Sequence, residues 1–548
     1  MSDRVLHIEE LTCSDGTRIQ LDPNDILIVV GPNNSGKSQF LIDIQASLRE
    51  HRERRESGKV VVSTKESFLY GETAKNRLSK YERIDRNAYQ LFQTVVPRGN
   101  VSNLHLANDF HSVAPFFFTR VNVENRLMMV QPAKPSENYQ IPSPIAAVFD
   151  DDGLTNKVSD LLRAAFNKSL FFDYRNLGEI PAYIGNKPEV PVGCDRVSNE
   201  YVNLVRGCEK LHEQGDGIKS FAGIVLSIFA ARYDVLLIDE PEAFLHPPQE
   251  RKLGRIFAEV ADSQLVISTH SKSIIQGVLD QREENVQVVR LVRDGEINRV
   301  SHLSSTQIAN LWRDPVFRYS TALEGLFHDV VVLCEAEADC KFFEALQIEV
   351  QSNAPLDTHY IPCGGKAGFP KFIAAMRELS IPTKAILDFD VLNDEQTIKA
   401  IFEAQGGDWA QIAYLWRRID AQIKADVRGL TISEVKEEVS ALLSGWTEGM
   451  PPRSKVDEAF KATKPWGRLK RLGLNGLPAG QIQKDAEELL SLLHSFQVYP
   501  IEVGTLEDFV KTVPGHGLSW LNEVFRSFSL NDVKLEQARK FIKLVFAS

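Results

Sequence analysis

The stretch DILIVVGPNNSGKSQFLIDI, residues 25–44, leaves the first part of this chain few folds to choose from. The apolar run Ile26 to Val30 has the length of a buried strand, and Phe40, Ile44 and Leu48 then recur at helical spacing on one face. Between them lies G-x-x-x-x-G-K-S, a loop that works only in this strand, loop and helix setting. Gly31 and Gly36 let the backbone turn its N–H groups inward, with Asn34 and Ser35 in the loop between, and Lys37 adds a positive charge for phosphate oxygens. The Ser38 hydroxyl is placed to ligate Mg²⁺. A nucleotide-phosphate site on an α/β sheet is the expectation.

One such domain does not use up 548 residues, and the length points to about two to four domains. Hydrophobic residues at 43% and charged ones at 25% fit globular material. No apolar run reaches the ~18–20 residues of a membrane helix, and MSDRVLHIEE lacks the basic and apolar regions of a signal peptide. A cytoplasmic protein with no membrane partner is expected. Cys13, Cys194, Cys208, Cys334, Cys340 and Cys363 form no C-x-x-C pair and have no histidines at zinc-finger spacing, so reduced thiols are expected rather than disulfides or a structural zinc. The net charge of -11 excludes a uniformly basic coat, although a local basic groove remains compatible with DNA.

A second apolar strand, in YDVLLIDEPEAFLHP, ends in Asp239 and Glu240. The first carboxylate suits a Mg²⁺ shell and the second suits orienting or deprotonating an attacking water. QLVISTHSKSI repeats the pattern and ends at His270, an imidazole suited to contact a γ-phosphate. Before these comes HEQGDGIKSFAGIVLSIFAARYD, a glycine-rich turn opening an apolar helix whose first amides favour an anion. The order of phosphate loop, glycine turn, D-E strand and histidine strand resembles the ABC-type ATPases of the SMC, Rad50 and RecF kind, and EPEAFLHP is most similar to the branch used by OLD-family (overcoming lysogenization defect) proteins. The resemblance implies ATP as ligand and at least a dimer, because in such ATPases the signature turn of one subunit completes the site of another. Gly215 and Gly217, with Lys219 and Ser220, are the matching positions here, although QGDGIKS has no LSGGQ. The region of about 50–210 falls where this branch carries helical insertions that serve dimerisation, and its charge run REHRERRESGK reads as a solvated helix face.

The second half repeats strand and helix. HDVVVLCEAEADCKFFEALQ gives an apolar strand, Val330 to Cys334, broken by Glu335, then a helical pattern; THYIPCGGKAGFPKFIAAMRELS gives strand, glycine turn and helix; TKAILDFD is a third strand. Alternating strands and helices indicate a parallel sheet whose crevice lies at the strand C-termini, where Glu335, Gly364 to Lys366, Asp388 and Asp390 all fall. Three carboxylates there suit Mg²⁺ or Mn²⁺ rather than a soft metal. The Glu and D-x-D set resembles the TOPRIM domain of topoisomerases, primases and OLD-family nucleases, with Ala336 where glycine is frequent. The resemblance implies divalent-metal phosphodiester chemistry. It also implies that Asp339 adds an acid, orienting water or a lysine, unless it is only a helix N-terminal acid. Glu507, in VYPIEVGTLEDFV, matches the family's late LE and becomes the candidate for a second metal position, with helix capping as its alternative. The family's basic residue against the scissile phosphate falls on Lys540 or Lys543. In the helical stretch between, PRSKVDEAFKATKPWGRLKRLG gathers Arg453, Lys464, Arg468, Lys470 and Arg471 around Trp466, a combination for phosphates and an unpaired base, or else a solvated helix with one packed tryptophan.

The expected fold is α/β: an ABC/SMC-like P-loop ATPase over about 1–322, then a Rossmann-like TOPRIM domain over about 326–548 with a helical insertion at about 395–495. The resemblance implies an ATP-regulated, metal-dependent DNA endonuclease, a dimer or tetramer. Family members serve in phage defence alone, with a helicase partner as in Gabija-like systems, or as effector of a retron with a reverse transcriptase and its single-stranded DNA. The alternative is an SMC- or RecF-like DNA clamp or repair sensor without nuclease activity, which a long heptad insertion would favour; the ATPase halves contain none. A primase or a strand-passing topoisomerase ranks below the nuclease, because no nucleophilic-tyrosine domain is identifiable.

Overall fold

The computed structural model describes residues 4–49, 61–69, 71–83, 87–102, 110–136, 141–176, 178–260, 263–295, 297–314, 318, 321–352, 356–427, 429–444 and 453–547. Residues 50–60, most of the charge run read as a helix face, lie outside them. The chain divides into two compact units, Met1–Arg318 and Tyr319–Ser548.

The first unit is organised by a six-stranded sheet in the order Ile297–Leu303, Val286–Asp294, Ile26–Val30, Gln264–Ser268, Val235–Asp239 and Phe118–Val121. All neighbours run parallel except the first two, which form a hairpin. The three central strands are buried along their whole length, as expected of apolar runs covered on both faces. Register pairs Asp239 with Ser268 and Ser268 with Val29, bringing the acidic and histidine strands out beside the phosphate loop. A second, antiparallel sheet of Arg18–Gln20, Leu6–Cys13 and Val62–Phe68 is tied to the first by buried side chains. The Gln264 amide accepts from Ile8 N–H and donates to Ile8 C=O, both at 2.9 Å, imitating one more peptide of a strand.

Residues 50–210 differ from the helical insertion expected of them. Their described part contains helices but also Val62–Phe68, a three-stranded antiparallel sheet at 82–97, the strand Phe118–Val121, and a sheet of Ser169–Phe172, Ala182–Gly185 and Glu209–Lys210. Phe118–Val121 is integral to the main sheet, pairing in parallel with the acidic strand from Val235↔Phe118 to Ile238↔Val121. The segment therefore completes the ATPase core as well as decorating it.

The second unit is a four-stranded parallel sheet in the order Thr358–Pro362, Val330–Cys334, Thr383–Leu387 and Val498–Pro500. Helices fill the sequence between the third and fourth strands, including Trp409–Asp426, Pro465–Leu472 and Gln481–Ser495. Backbone bonds continue the sheet past its strand ends: Cys363 N–H donates to Cys334 C=O at 2.8 Å and Ile501 N–H to Leu387 C=O at 2.7 Å. An aromatic cluster fixes the helix Glu337–Val350 to the short helical turn Leu506–Val510, with Phe509 ring centres 6.0 Å from Phe342 and 6.3 Å from Phe343. Those two elements carry Asp339 and Glu507. Among the described residues no helix is long and apolar enough to cross a membrane.

Candidate functional site

The phosphate loop is built by close backbone approach. Gly31 has φ +145°, and a Cβ on it would lie 2.1 Å from Leu291 C=O, so no larger residue fits. Gly36, at φ +93°, leaves room for the Asn298 amide, which donates to Ser35 C=O at 3.1 Å. Asn34 takes the left-handed conformation at φ 62°, which asparagine tolerates better than most residues. Lys37 folds back on its own loop, donating to Gly31 C=O at 3.0 Å, Pro32 C=O at 2.8 Å and Ser35 Oγ at 3.4 Å. Burial lowers its ammonium to about 8 against the pull of Glu240, Glu242 and Asp239. A buried ammonium whose partners among the described residues are neutral oxygens fits an anionic phosphate partner.

Ser38 and Asp239 meet, Ser38 Oγ donating to Asp239 Oδ1 at 3.1 Å. The same carboxylate accepts from Ser268 Oγ at 2.5 Å and from Arg120 at 2.7 Å. Two arginines that sequence reasoning missed thus belong here. Arg120 reaches Asp239 from the neighbouring strand, and Arg126, fully buried, donates to the carbonyls of Asp239 at 3.2 Å and Glu240 at 3.0 Å. Glu240 itself is strained at φ 45°, with its N–H held by Ser268 C=O at 3.0 Å. Glu242, also unforeseen, organises the histidine strand by accepting from His270 N–H at 2.6 Å and Thr269 Oγ1 at 2.8 Å, and burial pushes its carboxyl up to about 7.

The glycine turn packs against residues 243–244, in the turn that follows the acidic strand. A Cβ on Gly217 would lie 2.7 Å from Phe244 C=O, Ser220 Oγ donates to Ala243 C=O at 3.2 Å, and Gly215 has nothing within 4 Å of a would-be Cβ.

In the second unit Glu335, Asp388 and Asp390 converge just past the ends of the strands Val330–Cys334 and Thr383–Leu387, with one oxygen of each within 4.8 Å of the others. The Glu335 carboxylate also accepts from Asp388 N–H at 3.0 Å, which locks the two strand ends together. Burial, then the neighbouring Glu335 charge, pushes Asp388 well above the usual carboxylate range; burial raises Glu335 too. Asp390 is shifted the other way, because Lys366 and Lys470 outweigh its burial. Lys366 contacts Asp390 directly, and Lys470 Nζ lies 3.2 Å from Asp390 and 3.7 Å from Asp388. Three crowded hard oxygen donors, balanced in part by ammonium groups, fit Mg²⁺ or Mn²⁺.

Asp339 caps its helix by accepting from Ala336 N–H at 2.8 Å, and burial, followed by the charges of Glu335 and Glu507, lifts its carboxyl to about 6. Glu507 accepts from Gly517 N–H at 2.9 Å and His516 Nδ1 at 2.5 Å, contacts that overcome burial and hold it down at about 2. The capping box of its turn is closed by Asp508 on Thr505.

Three expectations need correction. Trp466 is buried at 5% exposure and its indole N–H donates to Asp420 at 2.8 Å, so its ring packs in the helical region and offers no face to a base. Lys470 belongs to the acid cluster rather than to a phosphate-tracking face, and Arg471 pairs with Glu438 at 2.6 Å. Lys540 pairs with Glu536 on its own helix at 2.8 Å, while among the described residues the cations paired with Asp388 and Asp390 are Lys366 and Lys470. Lys464 is exposed and Arg468 half-buried, and the side chain of Arg453 lies outside the described residues.

Phosphate loop, acidic strand and parallel sheet in the first unit, with an acid cluster on a second parallel sheet, define a P-loop ATPase joined to a Rossmann-like carboxylate site. Residues 42–276 match the family described as AAA domain, putative AbiEii toxin, Type IV TA system, and residues 326–390 match the overcoming lysogenization defect protein-like TOPRIM domain. The matched domain order, an AAA-type ATPase domain followed by an OLD-like TOPRIM domain, supports an OLD-type architecture. It is 30% identical over 197 residues to an OLD nuclease of Thermus scotoductus, a match covering 33% of this chain and 36% of that protein's length. Among solved structures it is similar to an Smc head domain with extended coiled coil from Pyrococcus furiosus (TM-score 0.34, 11% identity, 56% of this chain and 99% of that one). An SMC head domain from Thermotoga maritima is another likeness (TM-score 0.28, 14% identity, 54% and 99%). At such scores the fold rests on the observed strand order, not on these likenesses.

Proposed function

We propose that the chain is an ATP-binding and ATP-hydrolysing, divalent-metal-dependent DNA endonuclease. The observation that carries this reading is the convergence of Glu335, Asp388 and Asp390 at the strand ends of the TOPRIM domain. A divalent ion held there would supply Lewis-acid charge to the attacking water and the leaving oxygen. The chain's own residues do the rest. Glu335 holds the two strand ends in register through Asp388 N–H, and Lys366 and Lys470 keep Asp390 ionised and ready as a ligand. Glu507, kept ionised by His516 and Gly517 and within electrostatic reach of Asp339, marks the second metal position.

In the ATPase domain Gly31 to Ser38 bind the nucleotide phosphates, Asp239 and Ser38 hold its Mg²⁺, Glu240 positions water and His270 senses the γ-phosphate. The turn that opens at Gly215 and is packed at Gly217 on Phe244 is the part that would meet a second copy, and the working form is a dimer or tetramer. Nucleotide state then controls cleavage, in a cytoplasmic phage-defence role, alone or with a partner such as a helicase or a reverse transcriptase with its single-stranded DNA. The test is nicking of supercoiled DNA with Mg²⁺ or Mn²⁺. The wild type should cut, chelator should stop it, and Glu335→Gln should lower the rate at least ~100-fold, the size of loss typical when a group that stabilises transition-state charge is removed. Cleavage that persists in chelator would refute the reading.

A further inference from the structure

Lys470 lies in the acid cluster although it comes from the helical region between the third and fourth strands. Its helix, Pro465–Leu472, is fastened at its C-terminal end by backbone fit. A Cβ on Gly504 would meet Lys470 C=O at 2.5 Å, and a Cβ on Gly473, at φ +58°, would meet Glu502 C=O at 2.0 Å. Leu474 N–H donates to Glu502 C=O at 2.8 Å, and Gly504 C=O accepts from Phe389 N–H at 2.8 Å, between the two aspartates. The loop that receives the helix is thus bonded to the D-x-D turn itself. The ammonium spans Asp388 and Asp390 at 3.7 and 3.2 Å, using one oxygen of each.

A divalent ion drawing on those carboxylates competes with the ammonium for the same lone pairs, and two cations about 4 Å apart repel strongly in a partly buried site. We propose that Lys470 is a built-in counter-cation of this site, a positioning residue that a divalent ion must displace from Asp388 and Asp390. Metal entry and the docking of the Pro465–Leu472 helix are thereby coupled. The inference rests on reading the cluster as a metal centre. With all three carboxylates ionised, the two lysines leave the cluster with a net negative charge, and exchanging Lys470 for a divalent ion neutralises it, which lowers the repulsion that an approaching phosphodiester meets.

The test is calorimetric titration of the full-length protein with Mn²⁺, without nucleotide, for wild type, Lys470→Met, Lys470→Gln, Lys470→Arg and Asp390→Asn. Lys470→Met and Lys470→Gln should bind Mn²⁺ about tenfold more tightly, because no internal cation is displaced, a change of about 1.4 kcal/mol. Lys470→Arg, which keeps the charge, should stay near wild type, and Asp390→Asn should lose the site. Amide hydrogen exchange across 465–476 should rise when Mn²⁺ is added to the wild type but not to Lys470→Met. Equal or weaker binding by both neutral variants, with the wild type still binding, overturns the counter-cation and spares the metal centre. Absence of Mn²⁺ binding in every variant overturns both.

Discussion

Asp239 accepts from Ser38, Ser268 and Arg120 at once, while Lys37 spends its hydrogen bonds on its own loop. Individual side chains here are held in place by several partners, and Glu242 makes the consequence measurable. Its folded carboxyl, at about 7, lies above the ordinary 4.5. The native state therefore holds a proton that the unfolded chain releases, so Glu242's contribution is full below pH 4.5 and is lost as pH rises through about 7. Denaturant unfolding of wild type and Glu242→Gln should give a stability difference that shifts against the wild type by about 3 kcal/mol at most across that window. A difference independent of pH would contradict this assignment. The acids and the phosphate loop were legible because each sits in a short motif at a strand end. Arg120, Arg126 and Glu242 were not, since Arg120 and Arg126 reach the acidic strand from more than a hundred positions earlier, and Glu242 looks like an ordinary residue of a turn.

At the level of elements, apolar runs announced the strands. Ile26–Val30 and Val330–Cys334 are strands over the residues that the runs occupy, because burial on both faces demands continuous apolar sequence. Phe118–Val121 has no apolar run to announce it: FTRV carries two polar residues, which its edge position and the pairing of Arg120 with Asp239 accommodate. The helix Pro465–Leu472 was legible as a basic, Trp-containing segment, but its destination depends on Gly473 and Gly504, whose fit against distant carbonyls leaves no local signature. The aromatic link between Glu337–Val350 and Leu506–Val510 permits a test at this scale. Phe509→Ala should destabilise the TOPRIM domain by about 3–5 kcal/mol in denaturant unfolding. A loss below about 1 kcal/mol would show that the turn carrying Glu507 is held by other contacts.

Taken whole, the chain carries two candidate sites, one on a largely parallel sheet and one on a parallel sheet, each with its polar residues where strands end. Brief motifs pointed to both sites. The decisive experiment compares cleavage of supercoiled and linear DNA by wild type, Asp388→Ala and Lys37→Ala, with Mg²⁺ or Mn²⁺ and with or without ATP. Cutting that requires metal, disappears in Asp388→Ala, and in Lys37→Ala survives without responding to ATP is the expected pattern. Metal-dependent cutting retained by Asp388→Ala would place the nuclease elsewhere. ATP hydrolysis by the wild type with no cutting under any condition would favour a DNA clamp over a nuclease.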